Sequence, residues 1–110
     1  MQRVWRTVTG FYHVCARGVG KQLIFEGDED RWEFLELMRE CCREAGVTVI
    51  AWCLMGNHVH LVLADYEDAM SAAMHRLLLT YARRFNKRTG RTGHLFQNRF
   101  DRRSLDTDRY

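Results

Sequence analysis

The spacing of apolar residues changes along the chain between a period of two, which is typical of strands, and a period near 3.6, which is typical of helices. Residues 9–17 alternate and are rich in aromatic and β-branched side chains, which predicts a strand. Apolar positions recur at helical spacing from Asp28, a suitable N-cap residue, to Gly46, and again over residues 68–88, which Gly90 closes. These two longer segments are therefore predicted to be helices.

Three shorter apolar segments complete the pattern. Residues 47–54 predict a buried strand, and the turn residues Gly56 and Asn57 join it in a hairpin to a strand over residues 58–64. Residues 94–100 predict a last strand. The resulting order is that of an α+β, ferredoxin-like βαββαβ fold, in which two helices cover one face of an antiparallel sheet. The other face is expected to stay free, with the first and third strands at the sheet centre.

The length of 110 residues predicts a single domain over residues 1–110. No apolar run approaches the roughly 18 residues that span a bilayer, and the N-terminal residues lack a secretory apolar stretch, so no membrane partner is expected. The four cysteines have no Cys-x-x-Cys spacing. They are expected to be core thiols in a reducing compartment rather than disulfides or zinc ligands, which predicts a cytoplasmic protein.

The net charge of +3 conceals a strong asymmetry along the chain. Residues 1–75 contain 7 Lys and Arg against 11 Asp and Glu, whereas residues 76–110 contain 10 against 3. A basic surface of this kind is typical of proteins that bind a phosphate backbone, although a solvated cationic helix has the same composition. Most basic residues of the second helix fall within an arc of roughly 140°. The candidate DNA-binding residues are Arg17, Arg76, Arg83, Arg84, Lys87, Arg88, Arg91, Arg99, Arg102 and Arg103.

Aromatic residues alternate with these cations near the C-terminus. His94, Phe96 and Phe100 lie between arginines, an arrangement that suits base stacking on single-stranded or distorted nucleic acid. Strand residues that face a core give the same alternation, so both interpretations of the two phenylalanines stay open.

The strongest candidates for chemistry are His58 and His60, which project from the same face of the predicted strand. Neutral imidazoles bind divalent transition metals, and two of them form half of a site that polarises a phosphate or carbonyl oxygen. Two histidines on an exposed strand face, without a metal, are the open alternative. His13 and Arg17 share one side of the first strand, a candidate for the same sheet face.

Five runs of sequence, which together cover nearly the whole chain, resemble the REP-associated tyrosine transposases of the HUH single-strand insertion-sequence family. These runs are Tyr12-His-Val, Arg17-Gly18 with Ile24-Phe25, Trp52-Cys-Leu-Met-Gly-Asn-His-Val-His-Leu61, Tyr81-Ala-Arg-Arg-Phe-Asn86, and Arg91-Thr-Gly-His-Leu-Phe-Gln-Asn-Arg-Phe100. The resemblance implies that His58 and His60 are the catalytic metal ligands, with Mg²⁺ or Mn²⁺ as cofactor. It also implies a DNA transposase that cleaves and joins single-stranded DNA near hairpins through a 5′-phosphotyrosine. The chain itself is expected to be a monomer or a homodimer.

The resemblance leaves the nucleophile unassigned. In that family the tyrosine lies in a Tyr-x-x-x-Asn-Pro motif on a helix beyond the position that matches Tyr110, and the residue four further on is the expected third metal ligand. Tyr81 lies on the apolar stripe of its helix and is expected in the core, and Tyr12 and Tyr66 have no supporting context. The 110-residue chain is therefore expected to lack the catalytic helix and to be inactive by itself.

Two rival functions stay open. The first is a non-catalytic or domesticated module that binds single-stranded or hairpin nucleic acid through the basic surface. The second, less favoured, is a metal-dependent hydrolase, because His-x-His strands also occur in that class.

Overall fold

The protein is described by a computed structural model, which covers residues 10–97 and 99–105. The elements in chain order are β1 (Phe11–Arg17), a short 3-10 helix (Val19–Lys21), α1 (Asp28–Ala45), β2 (Thr48–Leu54), β3 (His58–Ala64), α2 (Met70–Thr89) and β4 (Asp101–Leu105). The sheet order is β2-β3-β1-β4, with antiparallel pairing between all neighbours. This is the predicted ferredoxin-like α+β fold, and β1 and β3 lie at its centre as expected.

The core lies between the sheet and the two helices. Val59, Leu61 and Leu63 of β3 are fully buried and pack in one cluster with Phe34 of α1 and Leu77 of α2. Because side chains alternate across a strand, the residues between them project from the opposite side of the sheet. That side, the open face, carries the histidines of β3. In the part of the chain that the structure describes, neither helix is long and apolar enough to cross a membrane.

Both helices end where their glycines predict. Gly46 and Gly90 cap α1 and α2 with φ values of 76° and 75°, in the left-handed region that glycine adopts without strain. The start of α2 differs from the prediction at residue 68, because Met70 is the first helical residue. The buried carboxylate of Asp65 accepts hydrogen bonds from the backbone N–H groups of Ala69 and Met70, at 3.0 and 2.8 Å. Those bonds satisfy donors that have no partner within the helix.

The strand predicted over residues 47–54 is present, but the prediction that it is buried is wrong. In β2, Ile50 and Trp52 are each 53% exposed. The strand lies at the edge of the sheet, and its pairing with β3 shifts register between Val49 and Ala51. A bulge of this kind bends an edge strand and disturbs its alternation, so β2 does not present a continuous face to the core.

The last strand was predicted over residues 94–100, and the structure places it at β4 instead. Among the described residues of the predicted segment, Phe96 forms an isolated bridge to Gly18. Leu95 and Phe96 are consecutive and both buried, which a strand with one covered face does not allow. The segment therefore packs its apolar residues as an irregular stretch, and β4 is a mostly exposed edge strand without an apolar alternation.

Candidate active site and nucleic-acid surface

His58 and His60 lie side by side on the open face of β3. Both are half-buried, and their ring centroids are 4.8 Å apart with the rings nearly perpendicular, at 87°. The intervening Val59 and the following Leu61 are fully buried on the other face. Core packing therefore holds the two imidazoles on the same side of a central strand.

Each imidazole has its Nδ1 atom engaged by a neighbouring side chain. His58 Nδ1 lies 2.8 Å from the amide oxygen of Asn57. His60 Nδ1 lies 3.1 Å from Nε2 of His13, and these two rings stack with a centroid distance of 5.1 Å. The prediction that His13 shares the face of the histidine pair is thus confirmed. In both His58 and His60, Nδ1 makes the contact with the neighbouring side chain. Nε2 is then the ring nitrogen that is left to bind a metal ion.

The electrostatic surroundings favour neutral His60. Burial lowers the pKa of His60 below its usual value of about 6.5, and the neighbouring His58, His13 and Arg17 lower that pKa further because each disfavours a second positive charge. Arg17 stands opposite His58 in the pairing of β1 with β3, and its guanidinium forms an ion pair with Asp101 at 2.8 Å. A neutral ring offers the lone pair that a metal ion requires.

The side chains of His58 and His60 fit a metal site as two of its ligands, and the site needs further ligands. Within residues 10–97 and 99–105 no group of three His, Cys, Asp or Glu side chains is arranged to hold a metal ion. Imidazole ligands suit Mn²⁺ better than Mg²⁺, which prefers oxygen ligands. The pair could therefore supply two ligands, with the remaining positions left to phosphate, water and a further residue.

None of the three described tyrosines stands at the histidine pair. Tyr81 is fully buried and donates its hydroxyl hydrogen to the backbone carbonyl of Ile24, and burial raises its pKa. Tyr12 packs against the core on the helix side of β1. Tyr66 is 72% exposed and contacts Phe11, at the end of the sheet opposite His58. The core position predicted for Tyr81 is confirmed, and Tyr110 lies outside the described residues.

The structure divides the predicted basic face of α2 into two parts. Three of its arginines turn toward α1 and pair with carboxylates there. The pairs are Arg76–Glu44, Arg84–Glu33 at 3.5 Å, Arg88–Glu33 at 3.1 Å, and Arg88 with the buried Asp30. Three of the five cations in the predicted arc are therefore paired with the acidic surface of α1.

A groove of about 770 Å³ lies on another side of α2, between that helix and residues 93–100. Apolar side chains dominate its lining, and arginines stand among them. The apolar members are Leu78, Leu79, Ala82, Leu95, Phe96 and Phe100, and the arginines are Arg83, Arg99 and Arg102. The groove thus brings aromatic and cationic residues of the C-terminal third together, while Phe96 itself lies in the core cluster, as the core interpretation of that ring predicts.

A sequence profile of the family described as "Transposase IS200 like" matches residues 7–109. The chain belongs to the IS200-like transposase family. This confirms the family expected from the sequence resemblance. No curated protein shows a significant match to the chain.

Two solved transposase structures share the fold. One is a REP-associated tyrosine transposase bound to a REP hairpin, with a TM-score of 0.68 and 13% identity over 96% of this chain and 61% of that one. The other is a candidate transposase from Deinococcus radiodurans R1, with a TM-score of 0.67 and 19% identity over 96% of this chain and 86% of that one. The present chain thus spans only 61% of the length of the first structure.

The groove reaches the same end of the sheet as the histidine pair. The backbone N–H of Gln97 donates to the carbonyl of Arg17 at 2.9 Å, and that of Val19 donates to the carbonyl of Leu95 at 2.8 Å. Residues 95–97 are thereby attached to the end of β1 that pairs with His58.

The remaining candidate cations of the transposase lie in three places. Lys87 is exposed on α2 and forms no ion pair with any described residue. Arg91 donates to the carbonyl of Gly93 and to the side chain of Asn86, so it supports the turn after α2. Arg103 pairs with His13 in the register of β1 with β4, which places it on the open face.

Sequence reasoning missed the contacts of the two side chains that engage the histidines. The sequence predicts Asn57 only as a turn residue. Its position immediately before His58 is a signal that its amide could reach that ring. The contact of His13 with His60 has no local signal, because the residues are 47 positions apart and meet only through strand pairing.

Proposed function

We propose that this IS200-like transposase cleaves and joins single-stranded DNA beside hairpins, with Mn²⁺ or Mg²⁺ as cofactor and a 5′-phosphotyrosine as the intermediate. The observation that carries the proposal is the placement of His58 and His60 on the open face with both Nδ1 atoms engaged and Nε2 left as the ligand atom. The fold alone would not be sufficient, because one fold hosts many functions.

The two histidines would hold the ion through Nε2. When bound there, a divalent ion polarises the scissile phosphate and stabilises the leaving 3′-oxygen, which compensates for the weak nucleophilicity of a phenol. Arg17, on the same face, is proposed to bind a phosphate oxygen and to orient the backbone by a charge-assisted hydrogen bond. Attack by the phenol oxygen breaks the bond from phosphorus to the 3′-oxygen, which receives the proton. The new phosphotyrosine bond keeps the energy needed for rejoining.

The groove beside α2 is proposed to bind the DNA. The exposed His94 and the half-buried Phe100 suit stacking of unpaired bases, and Arg83, Arg99 and Arg102 suit phosphates. One transposase of the same fold carries a REP hairpin, which supports a hairpin substrate here. The proposed location is the cytoplasm, where free cysteines such as the four in this chain stay reduced.

A second candidate function is a hairpin-binding module without catalysis. It is favoured by one observation, that Tyr12, Tyr66 and Tyr81 all lie away from the histidine pair. The catalytic proposal requires a phenol from elsewhere, and the family resemblance places it beyond Tyr110.

The two candidates differ in whether a covalent DNA adduct forms. The 110-residue chain and a version extended at its C-terminus by a helix that carries a Tyr-x-x-x-Asn motif are incubated with a hairpin oligonucleotide that has a single-stranded flank, with and without Mn²⁺. We expect a denaturation-resistant adduct only with the extended version and Mn²⁺, and its loss in His60→Ala. Hairpin binding by both versions without any adduct would establish the non-catalytic module. An adduct of the shorter chain that disappears in Tyr110→Phe or Tyr81→Phe would refute our exclusion of those tyrosines.

A further inference from the structure

We propose that His13 and Asn57 are positioning residues for the metal-binding pair. Each binds the Nδ1 atom of one ligand candidate and thereby sets which ring nitrogen carries the proton. The inference rests on the proposed function, since it concerns the same two histidines. It adds two residues whose side chains would determine metal affinity without touching the ion.

The Asn57 contact defines one tautomer directly. An amide oxygen only accepts hydrogen bonds, so the 2.8 Å contact requires that His58 carries its hydrogen on Nδ1. The lone pair of the neutral ring is then on Nε2. The backbone of Asn57 is itself held in place, because its carbonyl accepts from the N–H of Gly18 at 2.9 Å and the turn is closed by the Met55–His58 bond. The orienting amide therefore stands on a rigid hairpin.

The His13 contact defines the second tautomer once His60 uses Nε2 as a ligand atom. The hydrogen of neutral His60 must then lie on Nδ1, and it is donated to Nε2 of His13 at 3.1 Å. His13 accepts through Nε2, so its own hydrogen lies on Nδ1. The near-parallel stacking of the two rings, at 21°, limits rotation of His60 about its side-chain bonds. Ligating histidines generally donate their second N–H in this way, and loss of such a partner weakens metal binding.

The competing assignment makes His13 a third ligand. It is disfavoured because Nε2 of His13 already contacts His60, and no described trio of side chains is arranged around an ion. The two assignments differ in what a glutamine at position 13 does. Its amide oxygen can replace the accepting nitrogen, whereas it is a poor substitute for an imidazole ligand.

The test measures Mn²⁺ affinity of the 110-residue chain, from broadening of imidazole proton signals in NMR spectra. We expect His13→Ala and Asn57→Ala to weaken binding about tenfold or more. His13→Gln and Asn57→Asp keep an accepting oxygen and should stay within a few-fold of the parent. His75→Ala, which removes an exposed imidazole from α2, serves as the matched control and should leave the affinity unchanged.

A second readout does not depend on any variant. Nitrogen-15 spectra of the metal-free protein should show the hydrogen of His58 on Nδ1. A hydrogen on Nε2 of His58 would overturn the role of Asn57, and unchanged affinity in folded His13→Ala would overturn that of His13. Equal losses in His13→Gln and His13→Ala would overturn positioning in favour of direct ligation. If His60→Ala leaves Mn²⁺ binding intact, the proposed function fails rather than this inference alone.

Discussion

At the scale of single residues, three buried polar side chains in the described part of the chain each have a partner inside the fold. Tyr81, Asp65 and Asp30 are less than 9% exposed, and each forms a hydrogen bond or an ion pair inside the fold. An unpaired polar group at such a position costs free energy, so these bonds matter more for stability than those at the surface. The same reasoning excludes Tyr81 as the nucleophile, because a buried phenol with a raised pKa is unsuited to attack a phosphate.

Removal of the Tyr81 hydroxyl is expected to affect stability and not chemistry. Tyr81→Phe leaves the buried carbonyl of Ile24 without its donor, which should lower the free energy of unfolding by about 1–3 kcal/mol. Urea unfolding followed by circular dichroism measures this change. Tyr66→Phe, at an exposed ring, is the control and should differ by less than about 0.5 kcal/mol. Equal stability of the two variants would contradict the assigned hydrogen bond.

The four thiols should react in a defined order. Burial raises the pKa of Cys42 to about 11, and burial also raises the pKa values of Cys15 and Cys41. Since the thiolate is the reactive form, iodoacetamide at pH 8 should modify the exposed Cys53 first. Mass spectrometry of the native protein should show one fast modification. The Cys53→Ala variant should lose it, and rapid labelling of that variant would show that a second thiol is accessible.

At the scale of secondary structure, the helix termini depend on single residues that act on the backbone. Asp65 follows β3 directly and holds the first turn of α2 through two N–H donors. Its negative charge at a helix N-terminus is favourable, and the two hydrogen bonds offset the cost of burying the carboxylate. The residue therefore links the strand that carries the histidines to the helix that lines the groove.

Loss of this N-terminal contact should destabilise the whole domain. Asp65→Ala leaves the N–H groups of Ala69 and Met70 without their acceptor and is expected to lower the free energy of unfolding by about 0.5–2 kcal/mol, an effect comparable to that of removing a helix N-cap. The neighbouring exposed Glu67, changed to Ala, controls for the loss of a negative charge. Thermal unfolding of both variants makes the comparison. If Glu67→Ala destabilises as much as Asp65→Ala, general charge rather than the cap is responsible.

At the scale of the whole molecule, packing of α2 on α1 decides which arginines can reach DNA. Arg76, Arg84 and Arg88 face carboxylates of α1, while Arg83 lines the groove. The positive charge of the C-terminal third that is not paired with α1 therefore covers a smaller part of the surface than the sequence indicates. We expect DNA to follow the groove and the open face rather than the contact between the helices.

Alanine variants of the adjacent residues Arg83 and Arg84 test this expectation by direct comparison. Arg83→Ala should weaken hairpin binding and reduce the slope of log affinity against log salt by about 0.7–0.9, the contribution of one phosphate contact. Arg84→Ala should change both quantities less, because its guanidinium already pairs with Glu33. Fluorescence anisotropy at several salt concentrations measures the slopes. Identical slopes for both variants would show that the groove is not the DNA-binding surface.

The sequence by itself determined the features that depend on near neighbours. Gly46 and Gly90 end the helices through their own backbone conformation, and the period of two places His58 and His60 on one face. Only the tertiary structure decided the position of β4, the exposure of β2, the contact of His13 with His60 and the separation of the arginines. These features depend on strand pairing and helix packing between distant segments, such as the 58 positions that separate Arg88 from Asp30. No local pattern specifies such a pair, because the free energy that selects it arises from burying the whole core at once.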